Sequence, residues 1–256
     1  MSDAPLATAQ RFCGLAAAYD RYRPTYPREA IAAILDGLPL PADVVDVGAG
    51  TGISTRALVA AGARAIAVEP NDEMRAVAVA AGCDARAGTA AATGLPDAGA
   101  DAVGCFQAFH WFAHAAALAE FRRILRANGR LAIVWNERDT RADPFTCEFR
   151  ALEERFGEKA MLAGIGFADA ALEPSLREGG FAPLRRLHFH NEQRLDADGL
   201  VGRVRSTSYA PRGGPALVEM ERSLRALHER FADRSGHATL QYRTDVYIGE
   251  RSSHRP

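Results

Sequence analysis

Lysine is nearly missing from this sequence: Lys159 stands alone, and arginine carries the rest of the positive charge. Beside so much alanine, that skew reads as compositional bias and not as recognition chemistry. Cysteine is also scarce, with four residues at Cys13, Cys83, Cys105 and Cys147. No CxxC pair and no Cys/His set at zinc spacing occurs, which excludes a disulfide framework and a sequence-legible metal site. No run of 18 apolar residues exists, so no segment reads as a membrane span. The opening MSDAPLATAQ has no apolar leader, and scattered thiols fit a reducing cytoplasm, the expected location. An excess of either charge is missing as well: 31 basic and 32 acidic residues leave a net −1. Nothing pulls such a chain toward nucleic acid or anionic lipid. Repeats, low-complexity tracts and long like-charge blocks do not occur.

What remains is ordinary globular material. The 256 residues are 48% hydrophobic and 25% charged, enough for a full core without staples. The first half alternates short strands with helices. PREAIAAILDGL (27–38) puts Ile31, Ile34, Leu35 and Leu38 on one helical face. VVDVG (44–48) is a strand, 53–62 a helix stopped by Gly62, and 63–69 a second strand. NDEMRAVAVAAG (71–82) is a helix capped by Asn71. A weak strand around 83–88, a strand at 101–106, a helix over 115–129 and a strand at 130–136 follow. Such alternation predicts an α/β fold with a parallel sheet and helices on both faces. Beyond it, 140–178 reads as helical with a loop at 163–167, 181–195 as a strand, 216–232 as a helix and 238–251 as a closing strand. No linker divides the chain. One domain is expected: a core over 1–139, a helical insertion, strand and lid over 140–215, and a closing helix and strand over 216–256.

The sharpest signal is VVDVGAGTG at 44–52, where Gly48, Gly50 and Gly52 join a strand to a helix. Glycine permits positive φ and close ligand approach, and a helix start offers free N–H groups. Glu69 ends the next strand, where a carboxylate can accept both hydroxyls of a ribose. The unit therefore specifies an adenosine-type ligand. A dinucleotide fingerprint would place its third glycine where Ile53 stands.

DVGAGTG with Asp46, VEPNDEM (68–74), DAVGCFQAFHWF (101–112) and EFRRILRANGRLAIVWNERD (120–139) resemble the motifs of class I S-adenosylmethionine-dependent methyltransferases. Two positions depart from that pattern: Ala127 replaces a usual proline, and Gly88-Thr89-Ala90 replaces Gly-Asp-Ala. AAAYDRYRPTYP (16–27), the pair His110-Trp111 and WNERD are similar to the type 11 branch that includes trans-aconitate methyltransferase-like enzymes. The resemblance implies a Rossmann-like methyltransferase fold: a mostly parallel seven-stranded sheet, one antiparallel strand, and a helical insertion after strand five.

It also implies a site. The loop of Gly48, Ala49, Gly50 and Gly52 would hold the methionine part of S-adenosylmethionine, with Asp46 beneath it toward the amino group. Glu69 would take the ribose. Pro70 and Met74 would flank the adenine, with Thr89 and Ala90 at its amino edge. Gln107 would face the methionine moiety. Arg23 would pair with the cofactor carboxylate, and Tyr19 and Tyr22 would pack over the site. His110 is the candidate general base, and Trp111 a wall near the sulfonium.

A small-molecule acceptor such as a carboxylate is expected, with Arg138, Phe145 and Tyr209 as lining residues. Nucleic-acid chemistry is disfavoured, because QAFH (107–110) stands where an NPPY-like motif would, and Cys105 follows Gly104, not proline. No nucleic-acid or membrane partner and no metal are expected. The basic stretch 203–212 reads as a solvated face. His188 and His190 share a strand face without a third ligand. Two alternatives stand: a nicotinamide-dependent oxidoreductase on a similar fold, and a non-catalytic cofactor-binding protein.

Overall fold

The structure, a computed structural model, describes residues 14–157 and 169–252. The loop expected at 163–167 and the opening ten residues lie outside them. Seven strands form one sheet in the order β3-β2-β1-β4-β5-β7-β6. They are β1 (Asp43–Val47), β2 (Arg64–Val68), β3 (Asp84–Arg86), β4 (Ala100–Phe106), β5 (Leu125–Arg138), β6 (Phe181–Leu195) and β7 (Ala238–Arg251). β1 to β5 run parallel, and β7 lies antiparallel to both its neighbours. This is the expected Rossmann-like methyltransferase sheet with one reversed strand.

Strand periodicity sets the two layers. Val45, Val47, Val103, Cys105, Leu131 and Ile133 face one side, under α5 (Ala115–Ile124) and α7 (Asp169–Glu178). Val44, Ala102, Ala132 and Val134 face the other, under α2 (Arg28–Leu35) and α3 (Ile53–Ala60). α4 (Asp72–Ala80) is capped by the Asn71 side chain, which accepts from the Met74 amide at 2.9 Å. α1 (Ala16–Tyr22) precedes the sheet.

Two elements differ from the sequence expectation. The helix expected over 115–129 stops at Ile124, and Leu125 already pairs with Ala100 at the head of β5. Pairing with β4 overrides a helical pattern that would have run on to Gly129. A helix over 197–205, where none was expected, also follows β6. α6 (Pro144–Phe156) and α7 precede it, while α8 (Ala197–Arg205) and α9 (Gly214–Phe231) follow it. Phe145, Phe149, Leu200, Val204, Met220, Leu224 and Leu227 of α6, α8 and α9 bury against Leu240 and Tyr242 as a third core. α7 instead covers the sheet through Leu172 and Leu176. Among the described residues no helix is long and apolar enough to cross a membrane.

Candidate cofactor cleft

β1 ends in a turn that only glycines suit. Gly48, Gly50 and Gly52 hold φ of +72°, +57° and +79°, and the Gly48 amide donates to the Val68 carbonyl at 2.9 Å. Gly48 also has no room for a side chain: an added Cβ would stand 2.8 Å from Ala108 Cβ. Asp46 is fully buried beneath the turn. Its Oδ2 accepts from Ser54 at 2.6 Å and Thr55 at 2.7 Å, which ties the strand to the start of α3. Its Oδ1 has no partner, and burial pushes its pKa up to about 6 against those two hydrogen bonds.

Glu69 leaves β2 and reaches sideways under the loop. One carboxylate oxygen accepts from the Gly50 amide at 2.9 Å, the other from the Asn71 amide at 2.8 Å. Burial raises its pKa, and the two backbone donors oppose that shift. Around it opens a cleft of about 940 Å³ at the carboxyl ends of β1, β2 and β4. Pro70 and Met74 form one wall, and Thr89 and Ala90 another; Thr89 pairs its backbone with Ala92. Gln107, Trp111 and Phe112 close the side after β4. Gln107 holds φ +54°, a left-handed conformation uncommon for a side chain larger than asparagine, and its amide nitrogen donates to the Asn136 carbonyl at 3.1 Å.

The segment before α2 is pinned over this cleft from the far side of the sheet. Asn136 and Asn191 both donate to the Thr25 carbonyl, at 3.1 and 2.9 Å, and Gln193 donates to the Tyr22 carbonyl at 2.8 Å. Arg56 of α3 pairs with Asp20 of α1 at 2.7 Å. These ties carry Tyr19 to the cleft and Arg23 to an adjoining hollow of about 410 Å³, which Ala49, Gly50, Gln107 and Asn136 also line. The Arg23 guanidinium lies 4.6 Å from the Tyr19 ring centroid, and its Nη2 donates to the Ser206 carbonyl at 3.3 Å. Its Nε has no partner.

Most of the sequence-predicted residues therefore converge. Tyr19, Gly48, Gly50, Glu69, Pro70, Met74, Thr89, Ala90, Gln107 and Trp111 line the cleft, Arg23 and Ala49 the hollow beside it, and Asp46 and Gly52 lie in the turn itself. His110 is not among the lining residues; its Nδ1 is buried without a partner, and burial lowers its pKa to about 4. Phe145 packs in the third core against Phe149 and Phe231. Arg138 pairs with the buried Glu153 at 2.5 Å, and the Tyr209 hydroxyl donates to the same Glu153 oxygen at 2.8 Å. The solvated reading of 203–212 fails at Arg203, which is 2% exposed, although Arg205 and Arg212 are exposed. The apolar neighbours of Arg203 in LVGRV were the available signal, and charge composition hid it. His188 meets Asp245 at 2.5 Å on the strand face.

The residues present fit S-adenosylmethionine: a carboxylate at ribose reach, a flat apolar wall, a side-chain-free floor, and an arginine with an unused donor. A sheet of this order with this loop and acid defines an S-adenosylmethionine-dependent methyltransferase fold. Residues 45–133 match the type 11 family described as "Methyltransferase domain". An uncharacterized methyltransferase of Mycobacterium tuberculosis is 46% identical over 126 residues, 48% of this chain and 51% of that protein. One from Schizosaccharomyces pombe is 38% identical over 126 residues, 47% of this chain and 50% of that protein. The chain thus spans about half the length of the curated relatives it matches. A solved structure from Anaeromyxobacter dehalogenans, provisionally assigned as a type II methyltransferase, superposes with a TM-score of 0.63 at 25% identity, covering 91% of this chain and all of the other. Residues 45–133 thus carry the match to a methyltransferase domain, on a Rossmann-like methyltransferase fold whose cleft residues fit S-adenosylmethionine as cofactor. The oxidoreductase and the non-catalytic alternatives are not favoured.

Proposed function

We propose that this protein transfers a methyl group from S-adenosylmethionine to a small acceptor that carries a carboxylate. The observation that carries the reading is Glu69, held by the Gly50 and Asn71 amides at the floor of a cleft whose glycine loop has no side chains. The cofactor supplies an activated methyl on a sulfonium. The chain's part is to bind, orient and exclude water. Glu69 faces the ribose, Pro70 and Met74 hold the adenine plane, and the 48–52 backbone with Arg23 holds the methionine end. Tyr19 and Trp111 shut out solvent. Fixed orientation of this kind is worth about 7–11 kcal/mol in well-placed systems.

A carboxylate acceptor needs no general base, which agrees with a cleft that His110 does not line. The likeness of 16–27, His110-Trp111 and WNERD to trans-aconitate methyltransferase-like enzymes supports that acceptor class. So does the arginine cluster beyond the cleft, where Arg138 and Tyr209 stand. We read the protein as working in the cytoplasm without nucleic acid, which its balanced charge supports.

The test is parallel calorimetric titration with S-adenosylmethionine, S-adenosylhomocysteine and NAD, followed by a carboxylic-acid acceptor screen. Binding of both sulfur compounds, and methyl ester formation with an acid, is the expected result. Binding of NAD alone would overturn the reading.

A further inference from the structure

Arg203 has a buried guanidinium with which, among the described residues, no side chain forms an ion pair. It sits in α8 between apolar neighbours and is 2% exposed. Its Nε and Nη1 are shielded from water and meet no acceptor. Taking an arginine out of water without an anion costs several kcal/mol. A methionine or leucine would fill the same space without that cost, so packing does not account for the charge.

The surroundings show what is missing. α8 lies directly on α1, because Gly202 leaves room for the Tyr22 ring. The Ser206 hydroxyl donates to the Arg203 carbonyl at 2.8 Å, and the Ser206 carbonyl accepts from Arg23 at 3.3 Å. Arg203 is thus joined, through one residue, to the arginine that lines the hollow beside the glycine loop. Burial lowers the Arg23 pKa, and the Arg203 charge lowers it further. Arg23, Arg138 and Arg203 all act on Tyr209, and the carboxylate acting there is Glu153. Glu153 Oε1 already accepts from Arg138 and the Tyr209 hydroxyl, while its Oε2 has no partner and makes no contact with Arg203. Among the described residues Glu153 is the carboxylate these three guanidinium groups share at Tyr209, and Glu137 is a second one beside Arg138. A bound S-adenosylmethionine brings one carboxylate, for Arg23. Neither Glu153 nor Glu137 reaches Nε or Nη1 of Arg203, which have no acceptor.

We propose that Arg203 is the residue that selects an anionic acceptor, by taking the acceptor's carboxylate as its missing counter-ion. The inference rests on the methyltransferase reading and adds the residue that sets acceptor charge. Arg23 answers the cofactor and Arg203 the acceptor. The two anions then complete a cluster that the apoprotein leaves positive.

The experiment uses protein saturated with S-adenosylhomocysteine, so that turnover is not needed. Succinate, glutarate, citrate and benzoate are titrated by calorimetry, each beside its neutral amide. Wild type, Arg203→Met and Arg203→Lys are compared. At least one acid should bind wild type while its amide does not. Arg203→Met should weaken that acid about 10-fold or more, with Arg203→Lys between the two. S-adenosylhomocysteine affinity should stay within about threefold in both variants. The Tm of ligand-free Arg203→Met should not fall, because an unpaired buried charge has been removed.

Acids and amides binding alike, or no acid binding any better than its amide, would overturn the proposal. So would an unchanged acid affinity in Arg203→Met. An equal loss of S-adenosylhomocysteine affinity would assign Arg203 to the cofactor and overturn it too. Failure of wild type to bind S-adenosylhomocysteine at all would instead remove the methyltransferase reading, and the first titration reads that outcome separately.

Discussion

The Glu69 carboxylate accepts the Gly50 amide at 2.9 Å, which locks the end of the second strand to the middle of the turn that follows the first. One residue thereby orders the floor of the cleft and presents the charge that a ribose would meet.

Glu69→Ala removes both jobs. S-adenosylmethionine affinity should fall about 10- to 100-fold, the scale of one or two charge-assisted hydrogen bonds. Glu69→Gln keeps an acceptor for one backbone amide and should lose less. Calorimetry on both variants checks the order. Equal affinity in Glu69→Ala and wild type would contradict the placement of the ribose.

Gly48→Ala meets two obstacles at once. The residue holds φ +72°, and the new Cβ would stand 2.8 Å from Ala108 Cβ, which cannot swing away. A loss of about 2–4 kcal/mol is expected. Gly62→Ala has the backbone obstacle alone, since nothing stands within 4 Å of its Cβ at φ +94°. It should cost about 1–2 kcal/mol. Urea unfolding of the two variants measures the difference.

Asp46 predicts a pH effect whose sign follows from burial. Its carboxyl titrates near 3.8 in a free chain and at about 6 in the fold. The folded state holds the proton more tightly, so this contribution to stability is full at low pH and is lost as pH rises through about 6. Asp46→Asn cannot ionise. Its stability relative to wild type should improve by up to about 3 kcal/mol between about pH 4 and pH 7. Denaturant midpoints taken across that range test it, and a flat difference would refute the buried titration.

Arg138 and Glu153 form a pair whose side chains are 11% and 0% exposed. Burial alone would lower the Arg138 pKa, yet the Glu153 charge and the Tyr209 hydroxyl hold it above its ordinary value. Glu153→Gln leaves the arginine without its counter-ion and should cost about 3–5 kcal/mol. Replacing both, with Arg138→Met and Glu153→Leu, should recover most of that loss. A double-mutant cycle in urea provides the check.

His110 is neutral in the fold, because burial lowers its pKa to about 4. A base that weak takes up little of a proton near pH 7. With whichever acid the acceptor screen identifies, His110→Asn should reduce kcat less than tenfold. A loss of a thousandfold would restore a general base to the mechanism.

The sequence alone determined the cofactor end. Strand, glycine turn, helix, strand and acid occupy 44–69, a window short enough for periodicity, glycine spacing and the acid's position to specify the local structure and its ligand. Asn71 as a cap, and Glu69 twenty-one residues after Gly48, were legible for the same reason. The tertiary structure decided what depends on distant neighbours. Leu125 became strand because Ala100 was there to pair with it. Arg138, Glu153 and Tyr209 met because α6 and the turn after α8 fold onto one another. Arg203 lost its water because α8 docks on α1. Charge composition could not reveal that, because the free energy of a charge is set by the atoms around it. Those atoms include residues 22, 23 and 209, brought to Arg203 and its helix only by the packed fold.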